Sequence, residues 1–157
     1  MLLETNVIKL ETRSKLTGHV KTEHYVRDFH PFHIDEPVEL GGSDTAPNPM
    51  EYVLSALNGC ETVIMKMIAN ELSVELDDVS ISTVGEIDTR GLKGIDGVRT
   101  HFQTIKQKFT FKISSGEEKI EQVITEFKKR CPAYNLVKDA NIPVEISYEI
   151  TPATVQV

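Results

Sequence analysis

The sequence has no tryptophan and only two cysteines among its 157 residues. It also lacks any apolar run of about eighteen residues, so the sequence predicts no membrane-spanning helix. The first ten residues contain no basic patch followed by a long apolar stretch, which argues against a secretory signal. We therefore expect a cytoplasmic protein. In that reducing compartment, two cysteines are either inert buried thiols or a redox pair rather than a permanent crosslink.

Positive charge is scarce as well, with 17 Lys and Arg against 24 Asp and Glu and a net charge of -7. Because phosphate binding needs a basic surface, this balance argues against a nucleic-acid partner. There is no CxxC motif, and the five histidines show no HxxxH spacing, so a metal site has no support. P-loop, dinucleotide-binding and GxSxG motifs are missing too. The sequence predicts neither a cofactor nor a metal.

The chain shows no internal repeat and no dividing linker, so we expect a single domain over residues 1–157. Alternation of apolar and polar residues predicts a strand over residues 6–12 and an exposed hairpin over residues 21–34, with a turn at residues 16–19 between them. Prolines and glycines then predict a loop over residues 35–48.

A long helix is predicted directly after this loop. Asn48 suits the N-cap, Pro49 the first helical position, and Glu51 the position that closes a capping box. Apolar residues then recur at three- and four-residue steps for about six turns: Val53, Leu54, Leu57, Cys60, Val63, Ile64, Met67, Ile68 and Leu72. So wide a stripe predicts a helix in the centre of the protein.

The second half alternates between strand and helix patterns. It predicts a strand beyond Leu76, a glycine-rich loop over residues 88–97, and a long strand over residues 98–113 with a bulge between Phe102 and Ile105. A helix over residues 117–130, a short helix that begins at Cys131-Pro132 and a strand over residues 144–150 complete the pattern. This order predicts an α+β fold with a mainly antiparallel sheet.

The two cysteines occupy different sequence contexts. Cys60 lies on the apolar stripe, where a thiol can equally be an inert core residue. Cys131 follows three cations and precedes Pro132, so it lies at the N-cap of a short helix, and both features favour a thiolate. The alternative is that Cys131 only fills a turn. Composition and spacing alone leave both choices open.

One continuous run of the sequence carries a family resemblance. Residues 35–60 read DEPVELGGSDTAPNPMEYVLSALNGC and closely resemble the OsmC/Ohr family. The loop from Arg90-Gly91 through Phe102-Gln103 and the run CPAYNL from Cys131 resemble the same family. The similarity extends from about Tyr25 to Ile150 and therefore covers most of the chain.

The resemblance implies both a fold and an activity. The implied fold is an intertwined homodimer whose long cysteine-bearing helix lies in the middle, with both chains building each active site. The implied activity is reduction of organic hydroperoxides in oxidative stress. Cys60 would be the peroxidatic thiol that becomes a sulfenic acid. Cys131 would resolve it as a disulfide, which a dithiol reductant then reduces. Apolar residues around Cys60 predict a small lipophilic substrate.

The sequence departs from the peroxidase pattern at one position. In the peroxidase branches, the residue directly after the second proline of the PNP motif is a glutamate, which works with an arginine. Here that residue is Met50. Glu51 comes one residue later, so it either orients the arginine or only caps the helix. Arg27 is our first candidate for the arginine and Arg13 the second. The departure keeps open a non-peroxidase member that binds a small molecule or senses redox state, and a purely structural dimer.

Overall fold

The computed structural model describes residues 6–152. The chain divides into two compact units, Met1–Val53 and Leu54–Val157. The single domain over residues 1–157 stays a prediction. Within the described residues, no helix is long and apolar enough to cross a membrane.

The N-terminal unit contains a three-stranded antiparallel sheet. Its strands are β1 (Arg13–Leu16), β2 (Thr22–Tyr25) and β3 (Phe32–Ile34), in that spatial order. The predicted hairpin and the turn after β1 are confirmed. The strand predicted over residues 6–12 is wrong, because that segment is exposed and has no strand structure. The pairing of β1 with β2 ends at Arg13 and Tyr25, and the residues after Tyr25 leave the strand, so residues 6–12 have no continuing strand beside them.

A buried carboxylate organises the loop that follows β3. Asp35 is 1% exposed and accepts hydrogen bonds from the Thr45 hydroxyl (2.8 Å), the Thr45 N–H (3.1 Å) and the Glu36 N–H (2.9 Å). The N–H of Ser43 donates to the same carboxylate. The loop is tight at Gly42, where a Cβ atom would lie 1.7 Å from the Glu36 carbonyl oxygen. These bonds hold the pKa of Asp35 below its ordinary value of 3.8, and the bond from the Thr45 hydroxyl has the largest effect.

Helix α1 (Pro49–Glu71) begins with the predicted capping box. The N–H groups of Met50 and Glu51 each donate to Asn48 Oδ1 at 2.9 Å, and Glu51 Oε2 accepts from the Asn48 N–H at 2.7 Å. This reciprocal pair satisfies backbone donors that the first turn of a helix otherwise leaves unpaired.

The C-terminal unit continues with a second sheet and two helices. The elements are β4 (Glu75–Glu86), β5 (Thr104–Ser115), α2 (Ile120–Arg130), α3 (Pro132–Asp139) and β6 (Val144–Pro152). Strand β5 is central: β4 pairs with it antiparallel and β6 parallel. The sheet is therefore mixed, and the α+β class is confirmed. The parallel pairing follows from the two helices that connect β5 to β6.

The start of β5 differs from the prediction. The strand begins at Thr104 rather than at residue 98, so Phe102 lies before it and no bulge separates Phe102 from Ile105. Phe102 is 3% exposed and covers Gly85 of β4, where an added Cβ would lie 2.5 Å from its ring. The register irregularities of this pair lie at the other end, between Glu75 and Asp78.

The core of this unit lies between α1, the sheet and α2. Met65 and Ile68 of α1 pack in one cluster with Phe109 of β5 and Phe127 of α2, all at most 1% exposed. The Phe109 and Phe127 ring centroids are 5.7 Å apart, a distance typical of aromatic pairs. In this chain α1 buries one face only, since Val63 and other apolar residues on it remain exposed.

We predict that Asp35→Asn destabilises the 35–45 loop, because both carboxylate oxygens accept hydrogen bonds and the amide NH2 that replaces one of them would face donors. The lowered pKa means that the stabilisation is present at neutral pH and is lost as the pH falls through the pKa of the folded state. The melting temperature of the variant should lie below that of the wild type at neutral pH, and the gap should narrow as the pH falls below 3.8, the ordinary pKa of an aspartate. Equal melting temperatures, with unchanged hydrogen exchange at the Thr45 amide, would contradict this role.

Candidate active site: a pair of free thiols

The two cysteines lie in contact, although 71 positions separate them in the sequence. The sulfur of Cys131 is 3.4 Å from the sulfur of Cys60, and both thiols are free. Cys60 lies in the middle of α1, and Cys131 lies between α2 and α3. The structure thus places the two predicted thiols side by side.

The break between two helices holds Cys131 in place. Its N–H donates to the Phe127 carbonyl at 2.8 Å and closes α2, while Pro132 occupies the first turn of α3. The N–H of Tyr134 donates to the Cys131 sulfur at 3.5 Å, so the thiol is the N-cap of α3. Asn135 Nδ2 donates to the Cys131 carbonyl at 2.8 Å. The predicted N-cap position is confirmed.

The two thiols differ in solvent access and in protonation. Cys60 is half-buried, whereas Cys131 is fully buried. Burial raises the pKa of Cys131 to about 11 and outweighs the opposing effect of the Tyr134 N–H. The neighbouring cations Lys129 and Arg130 form ion pairs with Glu126 and Glu71. The prediction that its context favours a thiolate at Cys131 is therefore wrong.

A buried carboxyl group follows Cys60 directly in the chain. Glu61 is fully buried, and Gln107 Nε2 of β5 donates to its Oε2 at 2.7 Å. The same amide nitrogen lies 3.3 Å from the Thr83 hydroxyl, which donates to Asn58 Oδ1 at 2.5 Å. Burial raises the pKa of Glu61 to about 7, while the Gln107 hydrogen bond acts in the opposite direction. Glu61 also raises the pKa of Cys131 through its negative charge.

Our reading of the sequence missed this polar pair, although the pattern contained a signal. Glu61 lies four residues from both Leu57 and Met65, so it falls on the buried face of α1. Gln107 shares the parity of Ile105 and the buried phenylalanines of β5. Two polar residues at core positions on facing elements indicate a buried hydrogen-bonded pair.

The remaining candidates lie in the N-terminal unit, Met1–Val53. Glu51 forms the capping box with Asn48. The guanidinium group of Arg27 lies over the Phe29 ring at 4.5 Å, and the Arg27 backbone has a positive φ of 48°. Arg27 and Arg13 line one groove of this unit. The roles proposed for Arg27 and Glu51 at Cys60 stay predictions.

Comparison with known families decides the classification. The family profile described as OsmC-like protein matches residues 41–147. This chain belongs to the OsmC-like family. The matched region contains both thiols of the OsmC-like chain, as well as Glu61 and Gln107. No curated protein sequence matches the chain.

Solved structures share the OsmC-like fold at low sequence identity. An OsmC-like protein from Mycoplasma pneumoniae is 19% identical, with a TM-score of 0.73 over 93% of this chain and 98% of its own. An organic hydroperoxide resistance protein OsmC from Legionella pneumophila is 18% identical, with a TM-score of 0.68 over 92% and 99%. A putative organic hydroperoxide resistance protein from Vibrio cholerae, with captopril bound in one active site, is 22% identical, with a TM-score of 0.66 over 92% and 95%.

We predict that the two thiols of this OsmC-like protein react at very different rates with iodoacetamide. At pH 7, a thiol with a pKa of about 11 is a thiolate in only about one molecule in ten thousand, and Cys131 is also fully buried. Cys60 in the Cys131→Ser variant should therefore be alkylated at least about 100-fold faster than Cys131 in the Cys60→Ser variant. Mass spectrometry measures both rates, and urea-unfolded samples give the reference. Similar rates in the folded variants would refute the assignment.

Proposed function

We propose that this protein reduces organic hydroperoxides, with Cys60 as the peroxidatic thiol and Cys131 as the resolving thiol. The observation that carries the proposal is the 3.4 Å contact between two free sulfurs. Because a disulfide bond is about 2.05 Å long, a closure of only about 1.4 Å joins them. Their unequal burial supports the order of events, since a peroxide can reach Cys60 while Cys131 stays protonated and covered.

The proposed reaction has three balanced steps. The Cys60 sulfur attacks the outer oxygen of the hydroperoxide, the O–O bond breaks, and the organic part leaves as an alcohol. The resulting sulfenic acid is then attacked by the Cys131 sulfur, which forms the disulfide and releases water. A cytoplasmic dithiol finally reduces the disulfide through a mixed disulfide, returns both thiols and is itself oxidised.

The surroundings of Cys60 support a lipophilic substrate. Leu57 and Ile64 lie within about one turn of Cys60 on α1, and apolar linings favour alkyl over hydrated groups. Structural neighbours are described as organic hydroperoxide resistance proteins, in keeping with the same substrate class. We therefore propose alkyl or fatty hydroperoxides as substrates and protection from oxidative stress as the cellular role.

Arg27 and Glu51 complete the proposal. A cation beside a thiolate stabilises its charge, and we assign this role to Arg27, with Glu51 orienting the guanidinium group. Glu51 Oε2 already accepts the Asn48 N–H in the capping box. That engagement favours the second candidate function, a redox sensor or small-molecule binder that keeps the thiol pair without rapid turnover.

We predict that cumene hydroperoxide converts the reduced protein to the intramolecular Cys60–Cys131 disulfide, and that it does so faster than hydrogen peroxide. Cys60→Ser should lose at least about 100-fold in turnover with a dithiol, because no nucleophile remains. Cys131→Ser should stop at the Cys60 sulfenic acid, which dimedone traps. Mass spectrometry over seconds to minutes follows each species.

The outcomes separate the two candidate functions. Survival of both thiols in excess organic hydroperoxide would rule out the peroxidase. One round of disulfide formation without repeated turnover in the presence of a dithiol would instead support a redox sensor. The Cys60→Ser protein serves as the matched control for peroxide consumed without the thiol.

We also propose that the active form is a homodimer. A continuous strip of small and apolar residues on α1 is exposed in the single chain, at helical spacings of three and four: Ala56, Gly59, Val63 and Met67. Val63 is 59% and Met67 is 48% exposed. The space beside Gly59 is open, because an added Cβ there meets nothing within 4 Å, so the strip leaves room for a second copy of α1 to approach closely. This arrangement allows both chains to build each site.

We predict that Val63→Glu shifts the protein from dimer to monomer, because a charge in the middle of an apolar contact loses its hydration. Light scattering coupled to size-exclusion chromatography measures the mass. Thr125→Glu, on an exposed position of α2, is the matched control and should leave the mass unchanged. A wild-type protein that runs as a monomer at micromolar concentration would contradict the dimer.

A further inference from the structure

We propose that Glu61 takes up the proton that Cys131 must release when the Cys131 sulfur attacks an oxidised Cys60, and that Gln107 holds the Glu61 carboxyl group for this transfer. The proposal rests on the proposed pairing of Cys60 with Cys131, but not on hydroperoxide as the oxidant. Glu61 thereby acquires a role in the second step of the reaction, where the sulfur–sulfur bond forms.

The need for a proton acceptor follows from the burial of Cys131. A thiol attacks another sulfur only as a thiolate, and a fully buried thiol has no water beside it to take the proton. With a pKa of about 11, Cys131 is almost entirely protonated at neutral pH. A nearby base is therefore required while the disulfide forms.

The geometry offers Glu61 as that base. Glu61 is fully buried and directly follows Cys60, whose sulfur lies 3.4 Å from the Cys131 sulfur. The Glu61 charge also acts on Cys131 and on Tyr134 of α3. Gln107 of β5 donates a 2.7 Å hydrogen bond to Glu61 Oε2, so Gln107, Cys131 and Tyr134 are the groups that interact with this carboxyl group. Burial and the Glu61 charge both raise the pKa of Tyr134, so its hydroxyl keeps its own proton.

The hydrogen-bond inventory favours a carboxyl group that gains a proton. Within the described residues, Glu61 Oε1 and Gln107 Oε1 are buried oxygens without a hydrogen-bond partner. Two unpaired acceptors in the interior are unfavourable. A proton on Glu61 turns its unpaired oxygen into a hydrogen-bond donor. The second unpaired oxygen belongs to the Gln107 amide, which is hydrogen-bonded to the same carboxyl group. Because the pKa of Glu61 is about 7, this proton is taken up and released near neutral pH.

The transfer is balanced for either oxidised form of Cys60. With a mixed disulfide, the Cys131 sulfur displaces the outer thiolate, and the Cys131 proton passes to Glu61. With a sulfenic acid, the sulfur–oxygen bond breaks, and the departing hydroxide collects that proton as water. Glu61 ends the second reaction unchanged.

Dithio-bis-nitrobenzoate tests the proposal without any hydroperoxide. Cys60 attacks this aromatic disulfide and releases one coloured thiolate, and Cys131 then releases the second, so stopped-flow absorbance separates the two steps. In the wild type, the rate of the second phase should rise with pH and level off above the Glu61 pKa of about 7. Glu61→Gln should slow that phase by about 100-fold at pH 8 and abolish the plateau.

The sign of the effect distinguishes a proton acceptor from a mere neighbouring charge. Removal of a negative charge alone would lower the pKa of Cys131 and accelerate the second phase, since the Glu61 charge raises that pKa. An unchanged or faster second phase in Glu61→Gln therefore overturns the proposal. Glu118→Gln, which removes an exposed carboxylate elsewhere, is the matched control and should leave both phases unchanged.

A second variant keeps the proposal testable if Glu61→Gln does not fold. Gln107→Met removes the hydrogen bond that lowers the Glu61 pKa, so the midpoint of the second-phase pH profile should move to higher pH. A midpoint that does not move overturns the role of Glu61. Failure of the wild type to release the second thiolate overturns the thiol pairing itself. Loss of peroxide turnover with normal two-phase kinetics affects only the proposed peroxidase function.

Discussion

The thiol pair depends on the burial of one face of α1 against the aromatic layer of β5 and α2. Met65 and Ile68 fix the rotation of the helix about its axis, because both are almost fully buried beside Phe109 and Phe127. Once that rotation is set, the positions of Cys60 and Glu61 follow from helical geometry, since adjacent residues differ by about 100°. Loss of a large core side chain here would therefore disturb the site as well as the stability of the fold.

Desolvation then decides the chemistry of the buried groups. The pKa of Cys131 rises from 9.0 to about 11, which corresponds to roughly 3 kcal/mol in favour of the thiol. The helix N-terminus and the flanking cations do not offset this cost, because the Tyr134 N–H is a single weak donor and two of the cations are paired with acids. The two sulfurs consequently differ in the way that the proposed roles require, since Cys60 is accessible whereas Cys131 is buried and protonated.

The sequence predicted the features that local rules determine. The Asn48–Glu51 capping box, the helix–strand order and the N-cap position of Cys131 depend on neighbours a few residues away, and the structure confirms them. Features that depend on distant partners were missed. The start of β5 is set by the packing of Phe102 on Gly85, and the parallel pairing of β6 by the route of two helices. The thiol contact itself was expected only through the family resemblance.

The backbone around the two sulfurs is already fixed before any disulfide forms. The N–H of Cys131 completes α2, and its carbonyl accepts the Asn135 N–H at 3.1 Å to begin α3, so both sides of the residue are hydrogen-bonded. Cys60 lies in the interior of a helix of 23 residues. Side-chain torsions and small helix displacements must therefore supply the final approach, without local unfolding. Such preorganisation removes most of the entropic cost of bringing two groups together. In the proposed reaction we therefore expect proton removal from Cys131, rather than the encounter of the sulfurs, to limit disulfide formation.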